Sequence, residues 1–119
     1  MRIISGIFKG KKLIPPQNKL TRPLKDLTKE SIFNILDHSH NLNFKIENSK
    51  VLDIFSGTGS FGLECISRGA KETYFVENYK PALDVLNKNI TSLNLENKTN
   101  IISKSFFEIS PENLKLNVF

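Results

Sequence analysis

The stretch Asp53-Ile54-Phe55-Ser56-Gly57-Thr58-Gly59-Ser60-Phe61-Gly62 decides how this chain is read. Its glycines at 57, 59 and 62 fit the spacing G-x-G-x-x-G, which alone is a weak signal. The setting makes it informative. Val51-Leu52-Asp53-Ile54-Phe55 is a short, nearly continuous apolar run, as in a strand buried on both faces. Beyond the glycines, Leu63, Cys65 and Ile66 predict a helix that stops at Gly69, where a left-handed residue usually ends helices. A glycine turn between strand and helix lets a ligand approach the backbone with no Cβ in the way.

The pattern then repeats. Thr73-Tyr74-Phe75-Val76 reads as a second strand. Pro81 stands where the first turn of a helix tolerates proline, and Leu83, Leu86, Ile90 and Leu93 mark that helix's buried stripe. Thr99 to Ser103 reads as a third strand, and residues 105–116 as a loop or short helix. Alternating strands and helices predict an α/β fold with a parallel sheet, Rossmann-like. Right-handed crossovers bring the turns after each strand to one edge, where such sheets bind ligands.

Glu77, 24 residues after Asp53, ends the second strand. An acid at that distance can accept hydrogen bonds from ribose hydroxyls, which points to a nucleoside-containing cofactor. Asp53 narrows the choice. A dinucleotide rests its pyrophosphate on the helix N-terminus, and a carboxylate there would repel it. The same carboxylate suits a cation such as the ammonium of a methionine moiety. S-adenosylmethionine is therefore preferred to NAD. The bland alternative is a tight turn with no ligand and Glu77 as an ordinary strand-end acid.

The N-terminal quarter differs from the rest in charge. Residues 1–30 carry eight basic and two acidic side chains, a net of +6, whereas the remainder sums to −1 within a total of +5. A localised basic excess suggests a polyanion partner, or else simply a solvated arm. Arg2 to Ser5 and Lys11 to Ile14, with Gly6 and Gly10 between them, predict a β-hairpin ended by Pro15-Pro16. A helix capped by Asp26 or Thr28 should follow, with Ile32, Phe33 and Leu36 on one face. A polar loop over 38–48 divides the chain into a basic extension, 1–48, and a Rossmann-like domain, 49–119. One cysteine, Cys65, allows no internal disulfide and reads as core. His38 and His40 read as solvated, so no metal is expected. No apolar run is long enough to span a bilayer, and a cytoplasmic protein is the expectation.

The phrase from Val51 to Ala70 resembles the first motif of class I methyltransferases and, more narrowly, the bacterial 16S rRNA guanine-N2 methyltransferase D family. Met1 to Leu13 resembles that family's N-terminal hairpin. Thr21-Arg22-Pro23 with Lys29 to Leu36 resembles its first helix, and Phe75-Val76-Glu77 with Asn89 its second motif. The resemblance runs from residue 1 to about 109. It implies methylation of a guanine N2 amine in small-subunit ribosomal RNA, with S-adenosylmethionine as cofactor. It places Asp53, Phe55, Ser56, Gly57, Thr58 and Gly59 around the methionine part, Glu77 on the ribose, and Asn78 beside the adenine. The family's Asp after the third strand corresponds to Ser105 here, and Phe106 beside it can pack on the adenine or belong to the core. Arg2, Lys9, Lys11 and Lys12 would meet RNA phosphates, with Phe8 among them stacking on a base or packing in the hairpin. Arg22 would reach RNA or the cofactor's carboxylate.

The family also carries an Asp/Asn-Pro-Pro-Tyr/Phe motif after its fourth strand, which orients the amine, and this sequence contains none. The expectation is therefore an incomplete form holding about half of the sheet, its first strand an exposed edge, poorly stable or paired with another chain. The alternatives are a non-catalytic cofactor- or RNA-binding fragment, a small-molecule methyltransferase, or an NAD-dependent enzyme.

Overall fold

A computed structural model describes residues 1–18, 24–38 and 45–110. Arg22, His40 and the tail beyond Ser110 lie outside the described residues. Three parallel strands, β1 (Lys50–Ile54), β2 (Glu72–Val76) and β3 (Thr99–Ile102), lie side by side in chain order. Asp53 sits beside Phe75, and Phe75 beside Ile101. Helix α1 (Asp26–His38) precedes the sheet; α2 (Ser60–Ser67) and α3 (Lys80–Ser92) are the crossovers. Because both crossovers step in the same direction, right-handedness puts α2 and α3 on one face. Leu63 and Ile66 of α2, Leu86 and Ile90 of α3 and Phe75 of β2 form the core there.

The third glycine of the turn makes this packing possible. A Cβ on Gly62 would lie 2.4 Å from the Phe75 ring and 2.8 Å from the Thr73 methyl, so any side chain would push α2 off β2. At the other end of α2, Gly69 is left-handed as expected (φ 107°). Its N–H bonds to Ile66 O and the Ala70 N–H to Cys65 O, the paired bonds that close a helix C-terminus. Cys65 packs with Phe33 and Ala70, and burial pushes its thiol up to about 12, so it is an inert core residue.

The expected N-terminal hairpin forms and is short: one antiparallel bridge, Arg2 to Lys12, with the Ile3, Gly10 and Leu13 amides donating to Lys11 O, Ile3 O and Met1 O. It docks on α2. The Ile4 and Ser5 amides donate to the Glu64 carboxylate at 2.8 and 3.0 Å, and the Ile7 and Phe8 amides donate to Ser67 O and Ser67 Oγ. Ile3 and Leu13 enter the main core, and Phe8 packs against it rather than standing out to stack. The exposed apolar side chain of that turn is Ile7, 77% accessible. Helix α1 begins at Asp26, and the Lys29 N–H bonds to Lys25 O, so Lys25 rather than Asp26 or Thr28 occupies the capping position. β1 starts one residue earlier than expected, and Phe55 leaves it in the left-handed region (φ 60°). Of the segment expected to be a loop or short helix, residues 105–110 are described and hold a short 3-10 turn at Phe106–Glu108, as expected.

Burial differs across the sheet. The central β2 is buried from Thr73 to Val76, whereas in β1 only Asp53 is buried. Among the described residues β1 pairs on one side only. Its other edge presents backbone groups that no described strand pairs.

Candidate functional site

The turn after β1 is built by hydrogen bonds from its neighbours. The Ser56 N–H donates to Val76 O, and the Gly59 N–H to Ser56 O. The Gly57 N–H donates to Glu77 Oε1 at 2.9 Å. Glu77 Oε2 accepts from the Asn78 and Tyr79 amides at the entry to α3. The Glu77 carboxylate thus bridges the glycine turn and the next helix. Three of its roughly four lone-pair sites are engaged, so ribose hydroxyls would add to or exchange with these bonds.

Asp53 occupies a different environment. It is only 9% exposed and accepts one backbone bond, from Gly62 at 3.0 Å. That bond caps a free amide of the first turn of α2 from outside the helix. Burial raises the Asp53 pKa from 3.8 to about 6; the Gly62 bond opposes the shift and the Glu77 charge adds to it. A carboxylate held this way gains most from a cation placed beside it.

These groups meet in one cavity of about 670 Å³, of the size that small-molecule sites occupy. Asp53, Phe55, Ser56, Gly57, Thr58 and Glu77, all expected from the sequence, line it. The Ser56 Oγ is buried and, among the described residues, has no hydrogen-bond partner. Gly59 does not line the cavity; a Cβ there would meet Leu86 at 2.4 Å, so its role is packing. Asn78, Ser105 and Phe106 lie together in an adjoining recess of about 40 Å³ that shares Phe55 and Glu77. The Phe55 and Phe106 rings flank it with centroids 6.0 Å apart. Ser105 Oγ accepts a long bond from the Phe107 amide and so also caps the short turn.

Sequence reasoning missed part of the lining. Leu24 and Ile32 bring α1 into the cavity wall, and Ser60, Phe61 and Tyr79 complete it. Ile32 carried a usable signal as a member of the apolar face of α1; Tyr79 carried none. Arg2, Lys9, Lys11 and Lys12 are all exposed around the N-terminal turn and line neither cavity. Lys29 is not part of that surface. It is wholly buried, 3.2 Å from Glu64, so one of the charges in the basic excess is neutralised internally. Among the described residues no group of His, Cys, Asp and Glu is placed to hold a metal, and no helix is long and apolar enough to cross a membrane.

A parallel sheet with a glycine turn, a buried carboxylate at the turn and an acid ending the next strand defines a Rossmann-like fold of the class I methyltransferase type. The chain belongs to the family described as Conserved hypothetical protein 95, which matches residues 1–118. It is 37% identical over 94 residues to Ribosomal RNA small subunit methyltransferase D of Haemophilus influenzae, covering 78% of this chain and 45% of that protein. The protein of the same name from Escherichia coli K12 is 34% identical over 97 residues, covering 82% and 46%. Among solved structures, yhhF of Escherichia coli, provisionally named a methyltransferase, matches with a TM-score of 0.72 and 30% identity over 88% of this chain and 52% of that one. The chain spans about half the length of the relatives it matches.

Proposed function

We propose that the cavity at the glycine turn binds S-adenosylmethionine, and that this chain supplies the cofactor half of a methyl transfer to a guanine N2 amine of 16S ribosomal RNA. The observation that carries the reading is Asp53: a buried carboxylate with a raised pKa and, among the described residues, no ion pair, in the wall of a cavity large enough for a nucleoside with an amino-acid tail. The cofactor's ammonium is the cation that complements it. Ser56 Oγ is an available partner for the same methionine end. Glu77 meets the ribose, and Asn78, Ser105 and Phe106 border the adenine in the shallow recess. When bound, the cofactor supplies a methyl group on a sulfonium as electrophile.

The substrate class rests on the names of the relatives and on the exposed basic turn. Arg2, Lys9, Lys11 and Lys12 are placed to neutralise RNA phosphates, and Arg22 is assigned to the same role or to the cofactor's carboxylate. NAD is disfavoured because its pyrophosphate would face both Asp53 and Glu77. A second reading is cofactor or RNA binding without catalysis by the polypeptide alone.

Displacement of a fluorescent adenosine analogue separates the cofactors. S-adenosylhomocysteine should displace it and NAD should not; the reverse order would overturn the assignment. Methyl transfer to a 16S RNA fragment by this chain alone would exclude the second reading.

A further inference from the structure

Helix α3 buries an amide where its apolar stripe would continue. Asn89 is fully inaccessible, between Leu86, Ile90 and Leu93 of the core. It lines neither cavity, yet its side chain bonds on two fronts. Its Oδ1 accepts from the Ile14 N–H at 2.7 Å, and its Nδ2 donates to Ile14 O at 3.1 Å, as a neighbouring strand would. The second Nδ2 hydrogen goes to Thr58 O at 2.9 Å. Both donors and an acceptor site are satisfied, so a polar group tolerated only when fully bonded is fully bonded here.

Thr58 O belongs to the glycine turn, and Thr58 lines the large cavity. The peptide that follows Thr58 is held from its other side by the Gly59 N–H to Ser56 O bond. The two bonds together set the plane of that peptide, and with it the place of Thr58 in the cavity wall. The same amide ties in Ile14, next to Pro15-Pro16 at the end of the basic N-terminal segment.

We infer that Asn89 is a positioning residue for the cofactor turn, acting through Thr58 O, and that it makes the N-terminal segment part of the site's support. This rests on the reading of the cavity as the cofactor site. An apolar residue at 89 leaves Thr58 O buried without this partner and frees both backbone groups of Ile14, and the turn must shift to satisfy Thr58 O.

The test compares Asn89→Leu with Leu93→Ala, a core truncation one turn further along α3, in the 119-residue chain. Two readouts are taken well below each variant's melting temperature: amide hydrogen exchange of residues 57–60 without ligand, and calorimetric affinity for S-adenosylhomocysteine. The expected result is that N89L speeds exchange at the Gly59 amide and weakens binding tenfold or more, while L93A leaves the affinity within twofold. If N89L does not fold, Asn89→Ser, which keeps a small polar group and removes the amide, carries the same expectation. Equal effects of the position 89 and position 93 variants on both readouts would overturn the inference. Failure of the unmodified chain to bind would overturn the cofactor reading, and unchanged Gly59 exchange in N89L would separately refute the positioning role.

Discussion

Two buried carboxylates bind helix α2, Glu64 from within it and Asp53 from β1, and the fold treats them in opposite ways. Glu64, in the middle of α2, is wholly buried and fully matched. It accepts from the Ile4 and Ser5 amides and pairs with Lys29 at 3.2 Å and Arg68 at 2.9 Å. The Lys29 ammonium in turn donates to Arg2 O and Ser60 Oγ. Asp53, at the head of the same helix, has one amide bond and, among the described residues, no ion pair. The first carboxylate is architecture: it fastens the N-terminal segment and α1 to α2. The second remains charged and short of partners beside a cavity, as a ligand site requires.

The largest effect should come from breaking the matched carboxylate. Glu64→Ala leaves Lys29 buried without its counter-charge and should cost about 3–5 kcal/mol, enough to unfold a marginal domain. The paired change Lys29→Met with Glu64→Leu should recover much of that loss. Thermal melts of the three proteins decide this; if E64A melts like the unmodified chain, the network does not hold the segment.

Asp53→Asn should do the reverse. It keeps an oxygen for the Gly62 amide and removes the charge, so S-adenosylhomocysteine binding should fall about a hundredfold, within the few kcal/mol typical of truncating one member of a buried charge pair. The unliganded protein should at the same time gain about 1–3 kcal/mol at pH 7. The sign follows from the raised pKa. Between about pH 4 and 6 the folded state holds a proton that the unfolded chain has released, so Asp53 destabilises the fold increasingly as pH rises through this window. The advantage of D53N over the unmodified chain should therefore vanish near pH 4. Melting curves across pH test this, and a D53N that is less stable at pH 7 would contradict it.

Next in size is the pH dependence of binding. Affinity for S-adenosylhomocysteine should be highest near pH 7, where Asp53 is ionised and the ligand's amine still protonated, and fall about tenfold per unit below pH 6, as Asp53 is protonated. D53N should lose this dependence. The smallest effects belong to the exposed basic turn. Replacing Lys9, Lys11 or Lys12 by Ala should each reduce the salt slope of RNA binding by about 0.7–0.9 and leave cofactor affinity unchanged. Salt-independent RNA binding would remove the phosphate-contact role.

The contrast between the carboxylates also explains what could be read in advance. The strand, glycine turn and helix around Asp53 were legible because each is a local pattern: an apolar run, glycines at fixed spacing, a left-handed stop at Gly69. Glu77 was legible by its distance from Asp53. The Glu64 network was not, because its partners lie 35 residues away at Lys29 and 59 to 60 away at Ser5 and Ile4, and a charge in a sequence does not show its counter-charge. Lys29 was consequently counted in the basic excess of residues 1–30, with nothing to mark it as buried. The hairpin was legible from its two β-prone runs and their glycines, but its docking through Glu64 and Ser67 was not, for the same reason. The entry of Leu24 and Ile32 into the cavity wall depends on where α1 docks, which no local pattern encodes.

The most direct test of the central claim is calorimetric titration of the 119-residue chain with S-adenosylhomocysteine at pH 8, alongside D53N. The account predicts saturable, one-to-one binding by the unmodified chain and about a hundredfold weaker binding by a D53N that is folded and more stable. Equal affinity of the two proteins, or no binding by a folded unmodified chain, would contradict it.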